Sequence, residues 1–212
     1  MGIFSVDGGL YKFMQTLVNV FKLNILWLIF SLPIVTMGAA TIAVYDVTMK
    51  MVDDEEGYVA RQFWKSFKSN LRRGIPMGLL LLFCVYIVWL DFSLFNQIPE
   101  HPIILCIMGI IAAYVFTLAF VYAFPLQARY ENTVFRTLQN SINISMKYFV
   151  RTLFLIIIVI IEFAIIFWNI TTIFIGVLVG PACIMFTISG IAKHIFREIE
   201  KEPGAVSNPE EK

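Results

Sequence analysis

The chain has 212 residues, 59% of them hydrophobic, and sixteen Lys and Arg against fifteen Asp and Glu, for a formal charge of +1. That apolar content exceeds the ~45–50% of soluble domains and argues against a soluble enzyme, while the near-zero charge argues against nucleic acid as a partner. A polytopic membrane domain fills this length and leaves no room for a soluble catalytic domain beside it.

The N-terminus has no basic region before its first apolar run, and Val6 stands where a myristoylation signal needs Ser or Thr, so the first span is expected to be retained. Two apolar segments follow, near 10–30 and 33–50, punctuated by Pro33 and Gly38. If both cross, the bundle has six helices and both termini on one side. In the alternative, the N-terminal segment lies in the interface, one helix crosses near 24–50, and five cross in all. Lys12, Gln15, Asn19 and Lys22 recur at helical spacing, which suits either a surface helix or a span whose polar edge faces other helices. Six is the reading adopted, with further spans near 74–95, 103–125, 148–168 and 171–193, each long enough for ~30 Å of hydrocarbon.

The connection 51–74 carries Arg61, Lys65, Lys68, Arg72 and Arg73, and the connection 126–150 carries Arg129, Arg136 and Lys147. The connections 31–38, 96–102 and 169–170 carry no Lys or Arg. Basic loops accumulate on the cytoplasmic side, which predicts a multi-pass protein of the cell membrane with a cytoplasmic C-terminus and, with six spans, a cytoplasmic N-terminus. Both basic connections read as amphipathic helices. In the first, Arg61, Lys65, Lys68 and Arg72 form a basic stripe beside an apolar one of Val59, Phe63, Phe67 and Leu71. Such a helix is expected to lie apolar face down among lipid headgroups, or to dock another subunit. Positions 59–72 align without gaps on 134–147, with three identities. The alignment predicts a span–surface helix–span unit used twice in parallel, an arrangement found in transporters; chance likeness between two basic helices is the competing explanation.

Ionisable groups at membrane depth are costly and mark sites. Asp46 is placed to meet Lys50, four residues on, and Asp91 lies near the outer end of its span. Glu162 falls about 20 Å into its span and Lys22 about 15 Å into the first. A Lys22–Glu162 pair across the bundle, with Asn24 adding a hydrogen bond, is therefore expected, either fixing helix register or marking a substrate or proton site. With five spans Lys22 would be interfacial and Glu162 alone. Cys84, Cys106 and Cys183 have no C-x-x-C spacing and read as reduced core residues. No P-loop, His cluster or nucleophile elbow is present, so catalytic, cofactor-binding and metal residues are all expected to be absent. Residues 1–197 form one membrane domain, and 198–212, polar and rich in Pro, Gly and Glu, are expected to be a flexible tail.

Two stretches carry a likeness to a known family. One is Asn24-Ile25-Leu26-Trp27 running into Leu32-Pro33-Ile34-Val35-Thr36-Met37-Gly38. The other is Phe63-Trp64-Lys65-Ser66-Phe67-Lys68-Ser69-Asn70, after Glu55-Glu56-Gly57-Tyr58. In order and spacing these resemble the YesL-like family of bacterial integral membrane proteins, whose activity is not assigned. Most of the specificity lies in the turn signature of Pro33, Thr36 and Gly38. The resemblance implies a non-enzymatic accessory role beside carbohydrate uptake systems of the ATP-binding-cassette type, with transporter subunits and membrane lipids as partners. It carries over no catalytic residue. A self-sufficient transporter or channel, and a membrane-organising protein, remain the alternatives; the sequence sets no oligomeric state.

Overall fold

The structure, a computed structural model, describes residues 9–55, 57–98 and 103–201, and among these every regular element is helical. The helices are α1 (Gly9–Ser31), α2 (Met37–Met51), α3 (Val59–Gln97), α4 (Ile103–Phe120), α5 (Ala123–Arg129), α6 (Val134–Lys147), α7 (Phe149–Ile166) and α8 (Ile170–Lys201), with one 3-10 turn at Ile34–Thr36. Five segments are long and apolar enough to cross a membrane: α1, α3, α4 continued by α5, α7 and α8. The expected sixth span, 33–50, becomes α2, whose 15 residues rise only about 22 Å. The helix that falls short is thus α2 and not the N-terminal segment, as the five-span alternative had it.

α2 nonetheless runs back alongside α1. Lys12 at the start of α1 bonds Asp54 just after α2, and Lys193 near the end of α8 pairs with Asp53. Both described ends therefore share one end of the bundle, and the basic connections gather there too. Asp54, in the turn after α2, is in the left-handed region, with φ 56°, a conformation that Asp tolerates better than most residues.

Short as it is, α2 forms the core. Ala39, Ala40, Ile42, Ala43, Val44 and Val47 are fully buried, between α3, α5, α1 and α8. Its closest neighbour is α3, and glycines set that distance. A Cβ on Gly38 would overlap the carbonyl oxygen of Gly74 and lie 2.7 Å from the Gly78 nitrogen, while one on Gly74 would lie 2.5 Å from the Ala39 Cα. Gly74 and Gly78 are one turn apart, so two backbones touch along a small-residue seam of the kind membrane helices use to associate. The turn before it is held by Thr36, whose hydroxyl donates to the carbonyls of Phe30 (2.6 Å) and Pro33 (2.8 Å). The turn signature thus has a physical content: Thr36 fixes the bend and Gly38 admits α3.

The first amphipathic segment is not a separate surface helix. It is the opening four turns of α3, continuous with the span through Pro76. Its apolar stripe faces protein, because Val59, Phe63 and Phe67 are buried and Phe30 of α1 sits 5.6 Å from the Phe63 ring and 4.9 Å from that of Phe67. The second segment is the distinct helix α6, separated from α7 at Tyr148. Its buried face is made of hydroxyls, Thr137, Ser141 and Ser145, spaced by four so that they line one side. The aligned segments therefore differ in connection and in what they bury. The expected tail is helical as far as Lys201, and the rest of it, 202–212, lies outside the described residues, as do His101 and part of the connection 96–102.

Candidate functional site

Proline removes a donor from a helix, and in lipid the carbonyl it leaves must find another. Pro181 lies inside α8, so the carbonyl of Val177, four residues earlier, lacks its helical donor. Asn24 of α1 supplies one. Its fully buried side chain donates to the Val177 oxygen at 2.9 Å and accepts the Ala182 N–H at 3.0 Å. One amide so repairs both strands of a helix break and pins α1 to α8. The junction of α4 and α5 is repaired similarly. The Tyr122 N–H donates to the Ser141 hydroxyl at 3.2 Å, and Ser141 and Ser145 donate to the Leu118 carbonyl at 3.1 and 3.0 Å.

Glu162 meets a different partner from the one expected. Its carboxylate accepts from Thr187 of α8 at 2.6 Å, while its other oxygen is buried with no donor among the described residues. It lines a groove of about 260 Å³ between α7 and α8, walled by Ile165, Ile166, Gly176, Val179, Gly180 and Cys183. Gly176 and Gly180 let α7 approach α8 closely, because Ile166 packs directly over both. Lys22 is exposed on α1, and no ion pair joins it to Glu162 among the described residues. α8 stands between them, bonded to α1 through Asn24 and to α7 through Thr187. The expected trio is thus split: Asn24 mends α8, Glu162 opens on a groove, and Lys22 faces outward.

The opposite chemistry gathers at the charged end. Asp53 binds both Lys193 and, at 2.6 Å, Arg197, two cations one turn apart on α8. Lys193, 6% exposed, also donates to the Met49 carbonyl at 2.5 Å, closing the end of α2 as a cation at a helix C-terminus should. Glu200 takes a forked bond from Arg129 (3.0 and 2.9 Å) and the Tyr130 hydroxyl at 2.5 Å, and Glu198 takes Arg151 at 2.6 Å. Burial drives the Tyr130 hydroxyl above the ordinary phenol range, and Glu200 beside it adds to the rise. Nearer the core, Lys50 meets Asp46 at 2.8 Å, as its spacing had indicated. The sequence carries a signal for this clasp in Lys193 and Arg197 at i and i+4 followed by Glu198 and Glu200, but the boundary expected at 197 divides it, leaving the two carboxylates in the tail.

Hydrogen bonding from Lys193, opposed by burial and reinforced by Arg197, holds the Asp53 carboxyl below the ordinary carboxylate range. A lowered folded-state value contributes stability that is present above the unfolded value, ~3.9, and lost as pH falls through the folded one. Asp53→Asn should therefore lower the thermal midpoint at pH 7, by about 3 kcal/mol in free energy as the buried Lys193 loses its counter-charge. The gap from the parent protein should close below pH 4. A gap that is unchanged in acid would remove the clasp as its cause.

Of the predicted surface cations, Arg73 is used internally, pairing with Glu131 at 3.1 Å. Arg136 is exposed on α6, and Lys147 lies at its end, 5.5 Å from the Tyr148 ring. Arg61, Lys65, Lys68 and Arg72 are all exposed, and among the described residues no carboxylate pairs with them. Lys68 lies over the ring of Trp64, 4.7 Å from its centre. No group of His, Cys, Asp and Glu that could hold a metal ion occurs among the described residues.

These features define an all-helical protein of membrane type, with polar side chains bridging its buried helix breaks, a charged clasp at one end and an exposed basic stripe. Residues 20–92, a range that includes Asn24 and the glycine seam, match the family described as "Protein of unknown function, DUF624". The chain is 25% identical over 133 residues to "Uncharacterized protein YesL" of Bacillus subtilis (strain 168), covering 61% of this chain and 63% of that one. It is 25% identical over 130 residues to "Uncharacterized protein YteU" of the same organism, covering 58% of each. The alignments thus span about three fifths of these relatives. The resemblance to the YesL-like family therefore holds, and no solved structure matches the chain.

Proposed function

We propose that this chain is a non-enzymatic accessory subunit of a membrane solute-uptake system, located in the cell membrane with its charged end in the cytoplasm. The observation that carries this reading is the contrast among its cations. Lys50, Arg73, Arg129, Arg151, Lys193 and Arg197 are all paired, whereas Arg61, Lys65, Lys68 and Arg72 stand exposed in one line. Their helix already uses its apolar face inside the protein, so the basic line is not needed to anchor it to lipid. It offers an acidic protein surface a row of charges on a rigid support. Carbohydrate as the solute rests on the family resemblance alone, and the partners it implies are subunits of a transporter driven by an ATP-binding cassette.

The test is recovery of permease and ATPase subunits with the protein in mild detergent, compared with a variant carrying Glu at 61, 65, 68 and 72. Recovery should fall about tenfold or more in the variant and weaken with salt, as exposed charges are screened. Equal recovery from both would sink the proposal. A second reading, a self-sufficient transporter, draws on the groove that reaches Glu162. It predicts solute flux into liposomes holding this protein alone, abolished by Glu162→Gln.

A further inference from the structure

One cation stands on an otherwise apolar surface. Lys22 is exposed on α1, and Val18, Phe21 and Ile29 around it are exposed as well. Two routes fix its depth. Lys12 of the same helix meets Asp54 at the charged end, and the rise from Lys12 to Lys22 is about 15 Å. The second route runs through α8, where Asn24 is bonded at Val177 and Ala182 and Lys193 joins the clasp. Counting from Lys193 back to Ala182, less the two residues between Asn24 and Lys22, gives about 13 Å. Both routes put Lys22 near the middle of ~30 Å of hydrocarbon, deeper than a lysine stem recovers by turning toward the headgroups. A bare ammonium at that level is costly, so the position calls for an anion beside it.

Lys22 also belongs to a regular row. Tyr11, Gln15, Val18, Lys22, Ile25 and Ile29 follow one another along α1 at alternate steps of four and three, the spacing at which one helix lies along another. All are exposed except Ile25, which is half-buried. We propose that a membrane helix of the partner subunit lies along this row and sets a carboxylate against Lys22. The inference rests on the accessory-subunit reading and gives that partner a second contact, within the bilayer and separate from the basic stripe. Lipid chains would cover the apolar members of the row equally well, but they bring no acceptor to Gln15 or Lys22 at this depth. A second copy of this chain is no better supplied among its described residues. Its Asp46 is held by Lys50, and its Asp91 lies against Gly109 of α4. Its Glu162 has one oxygen on Thr187 and the other buried. A foreign helix carrying Asp or Glu opposite Lys22 supplies both the shape and the charge, and a polar contact of this kind sets register as well as partner.

The experiment uses the full chain in its native membranes, solubilised in mild detergent, and measures the permease and ATPase subunits recovered with it. Lys22→Met keeps the length of the side chain and removes its charge, so recovery should fall about tenfold or more. The loss should be the same at low and high salt, because a pair in hydrocarbon is screened little. Lys22→Arg should retain recovery. Thermal midpoints should agree among the three proteins, since Lys22 bonds nothing among the described residues. A photo-activatable residue in place of Val18, one turn from Lys22, identifies the neighbour. On irradiation it should join a transmembrane segment of the permease that carries Asp or Glu within a turn of the adduct. Changing that acid to Lys should abolish recovery, and combining the change with Lys22→Glu should restore it. Full recovery by Lys22→Met, an adduct with lipid or a second copy alone, a joined segment without an acid, or a double reversal that fails to restore would each overturn the proposal, leaving the role of the basic stripe standing. If even the parent protein recovers no transporter subunit, the accessory reading itself falls, and this contact with it.

Discussion

Gly38→Val is expected to leave little folded protein. The contact it breaks is backbone against backbone: the added Cβ overlaps the Gly74 carbonyl and falls 2.7 Å from the nitrogen and 2.8 Å from the Cα of Gly78. No rotamer change relieves such an overlap, so α2 and α3 must move apart. That separation would open the packing around Ala39, Ile42 and Ala43, all fully buried. Overpacking at a flexible side chain costs about 1–3 kcal/mol, and a rigid contact at the centre of the core should cost ~4 kcal/mol or more, the exceptional end of single substitutions. Gly38→Ala should already be severe. The control is Gly190→Ala in α8, where nothing lies within 4 Å of the new atom; it should be neutral, or stabilising by up to ~1 kcal/mol through helix propensity. Folded yield and thermal midpoint in detergent measure both. Parity between the two variants would mean that α2 and α3 are not seated as described.

The same contact shows what the sequence could and could not convey. The helical, multi-pass character followed from apolar runs, because run length is a local property. The Pro33, Thr36 and Gly38 signature was recognisable as unusual for a span, yet its reason was hidden, since Gly38 matters through Gly74 and Gly78 and periodicity does not say which helix arrives. The basic stripe of α3 was legible for a similar reason: amphipathicity defines two faces. It does not say what covers the apolar one, and Phe30 covers it where lipid had been expected. Opposite charges at like depth suggested the Lys22–Glu162 pair, but depth fixes one coordinate only. Their positions around the bundle depend on α8 lying between them. An apolar count over 33–50 overstates the length of α2, because the Pro33–Thr36 turn takes residues that the count assigns to a span.

Asn24→Leu is expected to have the largest effect of any substitution that keeps residue size. Leucine fills nearly the same space and is more apolar, so by burial alone it should be tolerated in a membrane helix. The structure gives the opposite sign. Removing the amide strands the Val177 carbonyl, whose own donor Pro181 deletes, and takes from the Ala182 N–H the acceptor it has in Asn24. Each buried orphan costs about 1–3 kcal/mol, so the variant should lose ~4 kcal/mol. The mechanism makes a sharper statement than the magnitude. Pro181→Ala restores an N–H that can reach the Val177 carbonyl within α8, so it should be nearly neutral alone. Placed on Asn24→Leu it should recover about half of the loss, a coupling well above the ~0.5 kcal/mol expected of independent sites. Chemical unfolding of the four proteins in a mild detergent supplies the cycle. If the two substitutions merely add, Asn24 is not mending the proline break, and its burial against α8 needs another explanation.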